Sequence, residues 1–169
     1  MSINELLKKI AAGDNEAFEK LYLKTRRGVY AFLFTYLHNH HDTEDAMQTV
    51  YLKIKQNIHT YDGERGGSAW ILTIAKNHAL NEIRREKKYA PMEDIEIHSP
   101  TQPDTSFVIT DLMERVLSQE ERRIVVLHVL WGYKHREIAE IIDSPTGTVT
   151  SKYKRAVEKL KRAIKEESK

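Results

Sequence analysis

The sequence predicts an all-α protein of two helical domains joined by a linker, and three observations predict it. Apolar residues recur at helical spacing on both sides of the middle of the chain, without β-branched alternation. Three of the four prolines, Pro91, Pro100 and Pro103, fall in one stretch, 90–107, that has no sustained helical period. Towards the C-terminus Ile138, Ala139, Ile142 and Val149 have helix-turn-helix spacing. The expected units are therefore a domain over 1–89, a linker over 90–107 and a domain over 108–169.

Ser2-Ile3-Asn4-Glu5 has capping-box spacing and opens a first helix with Leu6, Leu7 and Ile10 on one face and Gly13 as its stop. A second helix follows Asp14. Its Phe18, Leu21, Tyr22, Val29, Phe32, Leu33 and Tyr36 form a stripe broad enough to require burial. Asp42, with Asp45 three residues on, reads as the next N-terminus. That helix turns Ala46, Met47, Val50, Tyr51 and Ile54 inward and Glu44, Gln48, Thr49 and Lys53 outward. The loop from Tyr61 to Ser68 has three glycines in eight residues, which makes it the most flexible segment between helices. From about Ser68 to Lys88 a long helix places Trp70, Ile71, Ile74, Ala75, His78 and Ile83 inside and ends on Arg84, Arg85, Lys87 and Lys88.

In the second domain Ser118-Gln119-Glu120-Glu121 is a capping box for a helix running to Gly132. Then come a short helix with Ile138, Ala139 and Ile142, a break at Asp143-Ser144-Pro145, and a last helix that Ser144 can cap with Pro145 at its first position. Thr146, Thr148, Thr150, Ser151, Lys152, Lys154 and Arg155 are hydroxyls and cations with no carboxylate among them, a composition suited to a DNA groove.

Composition narrows the function classes. With 169 residues, 31% charged and 40% hydrophobic, the chain can build packed cores. Its longest nearly apolar run, Val29 to Leu37, is far short of the ~18–20 residues of a bilayer span, and no signal peptide opens it. Direct membrane insertion is thus not expected, and the cytoplasm is. No cysteine is present, which removes disulfide scaffolds, thiolate zinc sites and cysteine nucleophiles together. The domains carry 14 Lys and Arg against 11 Asp and Glu, and 13 against 10, while the linker carries none against four. That pattern is compatible with a polyanion partner without demanding one.

Three motifs, in order, carry a resemblance: Asp42-Thr43-Glu44-Asp45-Ala46-Met47-Gln48-Thr49-Val50-Tyr51, Trp70-Ile71-Leu72-Thr73-Ile74-Ala75-Lys76-Asn77 leading to Arg84-Arg85, and Glu137-Ile138-Ala139-Glu140-Ile141-Ile142 with Gly147-Thr148-Val149. Together they resemble the extracytoplasmic-function (ECF) group of sigma-70 family RNA polymerase sigma factors across essentially the whole chain. The resemblance implies a bacterial initiation subunit, not an enzyme, whose first domain is similar to sigma region 2 and whose second is similar to region 4. It implies that Glu44, Asp45 and Gln48 dock on the β′ clamp helices of core RNA polymerase, with the β flap as a second contact. It places Tyr61, Arg65, Ser68, Asn77, Asn81, Arg84 and Arg85 at the minus-10 promoter element, where the glycine-rich loop would receive a base flipped from the non-template strand. Asn suits base contact because its amide donates and accepts together. At the minus-35 element it places Lys134, Arg136, Thr148, Ser151, Lys152, Lys154 and Arg155. An anti-sigma factor is the further implied partner; no cofactor, metal or small-molecule substrate is implied.

The sequence departs from the family where Asp143 replaces a frequent glycine, Ser144 an apolar residue, Thr150 a common Lys, and Lys134 a capping Ser or Thr. Two readings compete. His38, His40, His41 and Asp42 could be read as metal ligands, although consecutive turn residues rarely converge on one ion. A conventional helix-turn-helix regulator would bind duplex DNA without polymerase, usually as a dimer on a palindrome.

Overall fold

The computed structural model describes residues 1–89 and 105–169, the side chains of 105–107 excepted; most of the expected linker lies outside the described residues. The first unit holds α1 (Ile3–Ala11), α2 (Asn15–Leu37), α3 (His40–Asn57), a 3₁₀ turn (Ile58–Thr60) and α4 (Gly67–Tyr89). The second holds α5 (Thr105–Val116), α6 (Gln119–Val125), a π-helical turn (Val126–Leu130), α7 (His135–Ile141) and α8 (Thr146–Glu167).

Local chemistry sets the first helices. Ser2 and Glu5 make both bonds of the capping box, and Asp14 caps α2 by accepting from the Ala17 amide at 3.1 Å. Helix α3 is capped by Asn39, which accepts from the Asp42 amide at 3.0 Å, so Asp42 is inside the helix and not at its boundary. Helices α2, α3 and α4 pack side by side with α1 against them. Leu7, Leu21, Leu33, Val50, Ile54 and Ile71 are fully buried between them. Thr25 is satisfied within that core. Its hydroxyl donates to the Leu21 carbonyl and accepts from the Tyr51 hydroxyl, both at 2.7 Å.

In the second unit Ser118 and Glu121 form the expected capping box, but regular α-helix stops at Val125 and the π turn completes the segment. The turn is closed by the Tyr133 amide donating to the Leu127 carbonyl and by the His128 ring on the Tyr133 carbonyl. Ile138, Ala139 and Val149 are buried where α7 and α8 cross, as the helix-turn-helix spacing requires. Ser144 does not cap α8: Pro145 occupies the N-cap position, and the Ser144 amide donates back to the Ala139 carbonyl at 2.9 Å. That bond closes a Schellman turn whose left-handed residue is Asp143, at φ 52°. Asp tolerates this region at a cost that glycine escapes. Asp143→Gly is therefore expected to stabilise the chain by about 0.5–1 kcal/mol, read from a urea unfolding curve.

Helix α2 serves both units, because α5, α6 and the π turn also pack on it. The Trp131 indole N–H donates to the Gly28 carbonyl at 3.1 Å, and a Cβ at Gly28 would stand 2.9 Å from the ring. Gln119 donates to the Thr35 carbonyl at 3.2 Å, and the Arg123 guanidinium lies 4.1 Å above the Tyr36 ring. His38 and His40 face Glu114 and Asp111 of α5 at 3.0 and 2.6 Å, and Tyr30 also bonds the His40 ring. The turn read as a candidate metal site thus points two of its imidazoles at carboxylates of α5, while His41 faces Asp45 on its own helix.

Candidate nucleic-acid interface

Three exposed surfaces carry the residues singled out from the sequence. The first is one face of α4 with the loop before it. Trp70, Asn77, Asn81 and Arg84 are spaced 7, 4 and 3 residues apart, which aligns them along one side of a helix, and Lys88 continues the row. Asn77, Asn81, Arg84 and Lys88 are exposed; Trp70, at the head of the row, is half-buried. Arg85 leaves this row to pair with Glu82 at 2.6 Å, and Ser68, in the first turn of α4, lies on the opposite side.

The loop is shaped by its glycines. Gly63 and Gly66 hold φ of 81° and 74°, and the Asp62 carboxylate accepts from the Glu64 amide at 2.9 Å. Arg65 projects into solvent at the loop's tip, and the Tyr61 ring leans on Trp70 with centroids 5.4 Å apart. Tyr61 and Gly67, which flank the loop, both bond the side chain of Asn4. Asn4 went unseen in the sequence because nothing local links residue 4 to residue 67.

The second surface is on α3. Asp45 and Gln48 are exposed, and Leu52, 60% exposed, continues their line at helical spacing. Leu52 was not singled out; its place in this row is the signal that could have found it. Glu44 sits at the edge of this line, half-buried, with its charge felt by Tyr30 of α2.

On the helix-turn-helix, Ser151, Lys154 and Arg155 are exposed together on α8, with Lys134 and Arg136 exposed at the start of α7. Thr148 is half-buried. Lys152 is drawn to α6, where it pairs with Glu120 at 2.5 Å. Thr150 lies 3.0 Å from the ring of His135, whose second ring nitrogen is buried without a partner.

Two histidines beside these surfaces set a pH dependence. Burial, then the nearby Lys53 ammonium 3.3 Å away, lowers the pKa of His78 between α3 and α4. Burial, then His128 and Lys154, lowers that of His135. A histidine whose folded pKa lies below the ordinary 6.5 binds fewer protons folded than unfolded. Its contribution is complete above about pH 6.5 and is lost as pH falls towards the folded value. Stability to urea is expected to drop between pH 7.5 and 5.5, and the drop to shrink in a His78→Gln, His135→Gln double variant.

Comparison with known proteins gives a consistent result. Residues 21–89 match Sigma-70 region 2 and residues 110–160 match Sigma-70, region 4. The chain is 26% identical to the ECF RNA polymerase sigma factor SigW of Bacillus subtilis, over 98% of both chains. It is 29% identical to the ECF RNA polymerase sigma-E factor of Haemophilus influenzae, over 94% of this chain and 93% of that one. Among solved structures, CnrH in complex with the cytosolic domain of CnrY aligns with a TM-score of 0.60 at 18% identity, covering 96% of each chain. The sigma factor RpoE of Bartonella quintana, in complex with the anti-sigma factor NepR, aligns with a TM-score of 0.60 at 22% identity, over 88% of this chain and 96% of that one. These two structures share its fold.

Proposed function

The chain belongs to the ECF group of the sigma-70 family and is an alternative sigma factor that directs transcription, and from that premise we propose how its surfaces divide the work. The domain over 1–89 binds core RNA polymerase through Asp45, Gln48 and Leu52 of α3, with Glu44 at the edge, and reads the minus-10 element. Asn77 and Asn81 meet bases, Arg84 and Lys88 meet phosphates, and Tyr61, Arg65 and Trp70 line the receiver for a flipped base. Unstacking a base costs a few kcal/mol, which stacking on an aromatic ring can offset. The domain over 108–169, whose helical backbone already begins at Thr105, lays α8 in the minus-35 groove with Ser151, Lys154 and Arg155 foremost.

The observation that carries this division is the separation of the two exposed rows. The amide-and-cation row of α4 and the cation pair of α8 stand in different domains, so one chain can address two DNA segments. Arg85 and Lys152, each held by a glutamate in the structure, are secondary contacts in this reading. Polymerase contacts at the β′ clamp helices and β flap, regulation by an anti-sigma factor of the kind bound to RpoE of Bartonella quintana, a cytoplasmic location and the lack of enzymatic activity complete the reading. No described helix is long and apolar enough to cross a membrane.

Run-off transcription and gel shift test it, with and without core RNA polymerase, on genomic DNA including the region upstream of its own gene. Specific transcripts that require both components support the division and yield both elements. Tight specific duplex binding without polymerase, and no transcript with it, identifies a conventional helix-turn-helix regulator instead.

A further inference from the structure

We infer that α1 is part of the minus-10 reader and that Asn4 is its positioning residue, the oxygen that closes the base-receiving loop at both ends. The inference rests on reading residues 61–68 as that receiver. Helix α1 precedes residues 21–89, which match Sigma-70 region 2, so neither the match nor the sequence motifs assign it a role.

The geometry is specific. Asn4 Oδ1 accepts from the Gly67 amide at 2.6 Å and from the Tyr61 hydroxyl at 3.1 Å. Gly67 is the first residue of α4, where a helix has no internal acceptor for its N–H groups, and Tyr61 is the residue from which the loop departs. One carbonyl oxygen therefore satisfies the start of α4 and fixes the ring that leans on Trp70, at the head of the Asn77, Asn81 and Arg84 row. A side chain at Gly67 would force its neighbours on α1 to shift: a Cβ there would lie 2.7 Å from the side chains of Ile3 and Leu7 and 2.9 Å from that of Asn4. Helix α1 can press this closely because it is itself held, by the Ser2 capping box at its head and by Leu6, Leu7 and Ile10 in the core.

The physical gain is pre-organisation. The loop holds glycines with left-handed backbones and gives up conformational freedom when it receives a base. Pinning residues 61 and 67 to one atom removes part of that freedom beforehand, while Arg65 at the tip stays free to move. Asn4 touches no DNA in this scheme; it acts through Tyr61 and the first turn of α4.

The test uses full-length variants assembled with core polymerase. The probes are the single non-template strand of the minus-10 region from a promoter mapped by run-off transcription, a scrambled strand, and a minus-35 duplex. Asn4→Ala is expected to weaken binding of the minus-10 strand by about tenfold, with core and minus-35 binding within about twofold of the parent. Asn4→Asp, which keeps the accepting oxygen, should restore strand binding to within about twofold, and Gly67→Ala, which pushes α1 away, should reproduce the loss. Parent-like strand binding by Asn4→Ala overturns the inference, and so does an equal loss on strand, core and minus-35 duplex, which marks a purely structural residue. A parent holoenzyme that binds minus-10 and scrambled strands alike overturns the receiver reading itself, and Asn4's role with it. An Arg65→Ala defect beside a normal Asn4→Ala overturns the role of Asn4 alone.

Discussion

Replacing Lys154 and Arg155 together by alanine is expected to weaken binding to minus-35 DNA by about 10–100-fold near 0.15 M salt and to lower the log–log salt slope by about two. Both side chains are exposed on the same turn of α8, and no ion pair among the described residues engages either one. A free cation that meets a phosphate releases a counterion and contributes its share of the slope; a cation already neutralised contributes less. Lys152 supplies the internal control, because its ammonium rests on Glu120 at 2.5 Å. Its replacement should cost less than that of either neighbour. The measurement is a titration of the holoenzyme on minus-35 duplex at several salt concentrations, with an unrelated duplex beside it. A uniform loss on both duplexes identifies phosphate contacts; a loss confined to the promoter identifies base contacts by these two residues.

Arg122→Met is expected to destabilise the second domain by about 2–4 kcal/mol while the first keeps its helices. The guanidinium is buried, with its side chain 8% exposed, and ties α5 to α6. Nη1 donates to the carbonyls of Glu114 and Leu117, each at 3.1 Å, and pairs with the Glu114 carboxylate at 3.0 Å. Methionine fills much of the volume but leaves the Leu117 carbonyl, a helix-end acceptor in a buried setting, without a donor. Glu114 keeps some solvent and the His38 contact, which holds the cost below that of a stranded buried charge. Hydrogen exchange would locate the loss in α5–α8. Arg123→Ala removes the stacking on Tyr36 and should cost less than about 1 kcal/mol.

What the sequence made legible was whatever is decided within a few residues. The Ser2 and Ser118 capping boxes, the Asp14 cap, the helix-turn-helix crossing and the α4 row all follow from spacing along one segment. Where two nearby side chains could do the same job, spacing did not choose. Asn39 and Asp42 are both good caps three residues apart, and the left-handed His38 just before Asn39 settles the matter in favour of the earlier one. Ser144 had the chemistry of a cap, but Pro145 takes the N-cap position and α8 starts at Thr146, which leaves Ser144 one residue outside the helix. The π turn at Val126–Leu130 reads in sequence as ordinary amphipathic helix, because apolar spacing does not register the return of the Tyr133 amide onto Leu127 that accompanies it. In the candidate site the exposed polar and charged members of the rows were legible, and the exposed Leu52 was not. The side chains that partners on other helices redirect or recruit were not: Lys152 by Glu120, Thr150 by His135, Asn4 by Gly67.

Two of the hydrogen bonds across the seam between the domains are addressed to the main chain of α2. Trp131 and Gln119 donate to the carbonyls of Gly28 and Thr35, groups that every residue type supplies. These two bonds tolerate drift in the surface of α2, whereas the contacts of Tyr36, His38 and His40 with the second domain depend on their side chains. The sequence dependence of the Trp131 bond lies where a side chain must be missing. At Gly28 a single methyl group would act as a wedge under the indole, so this one codon governs how closely the two halves of the chain can lie.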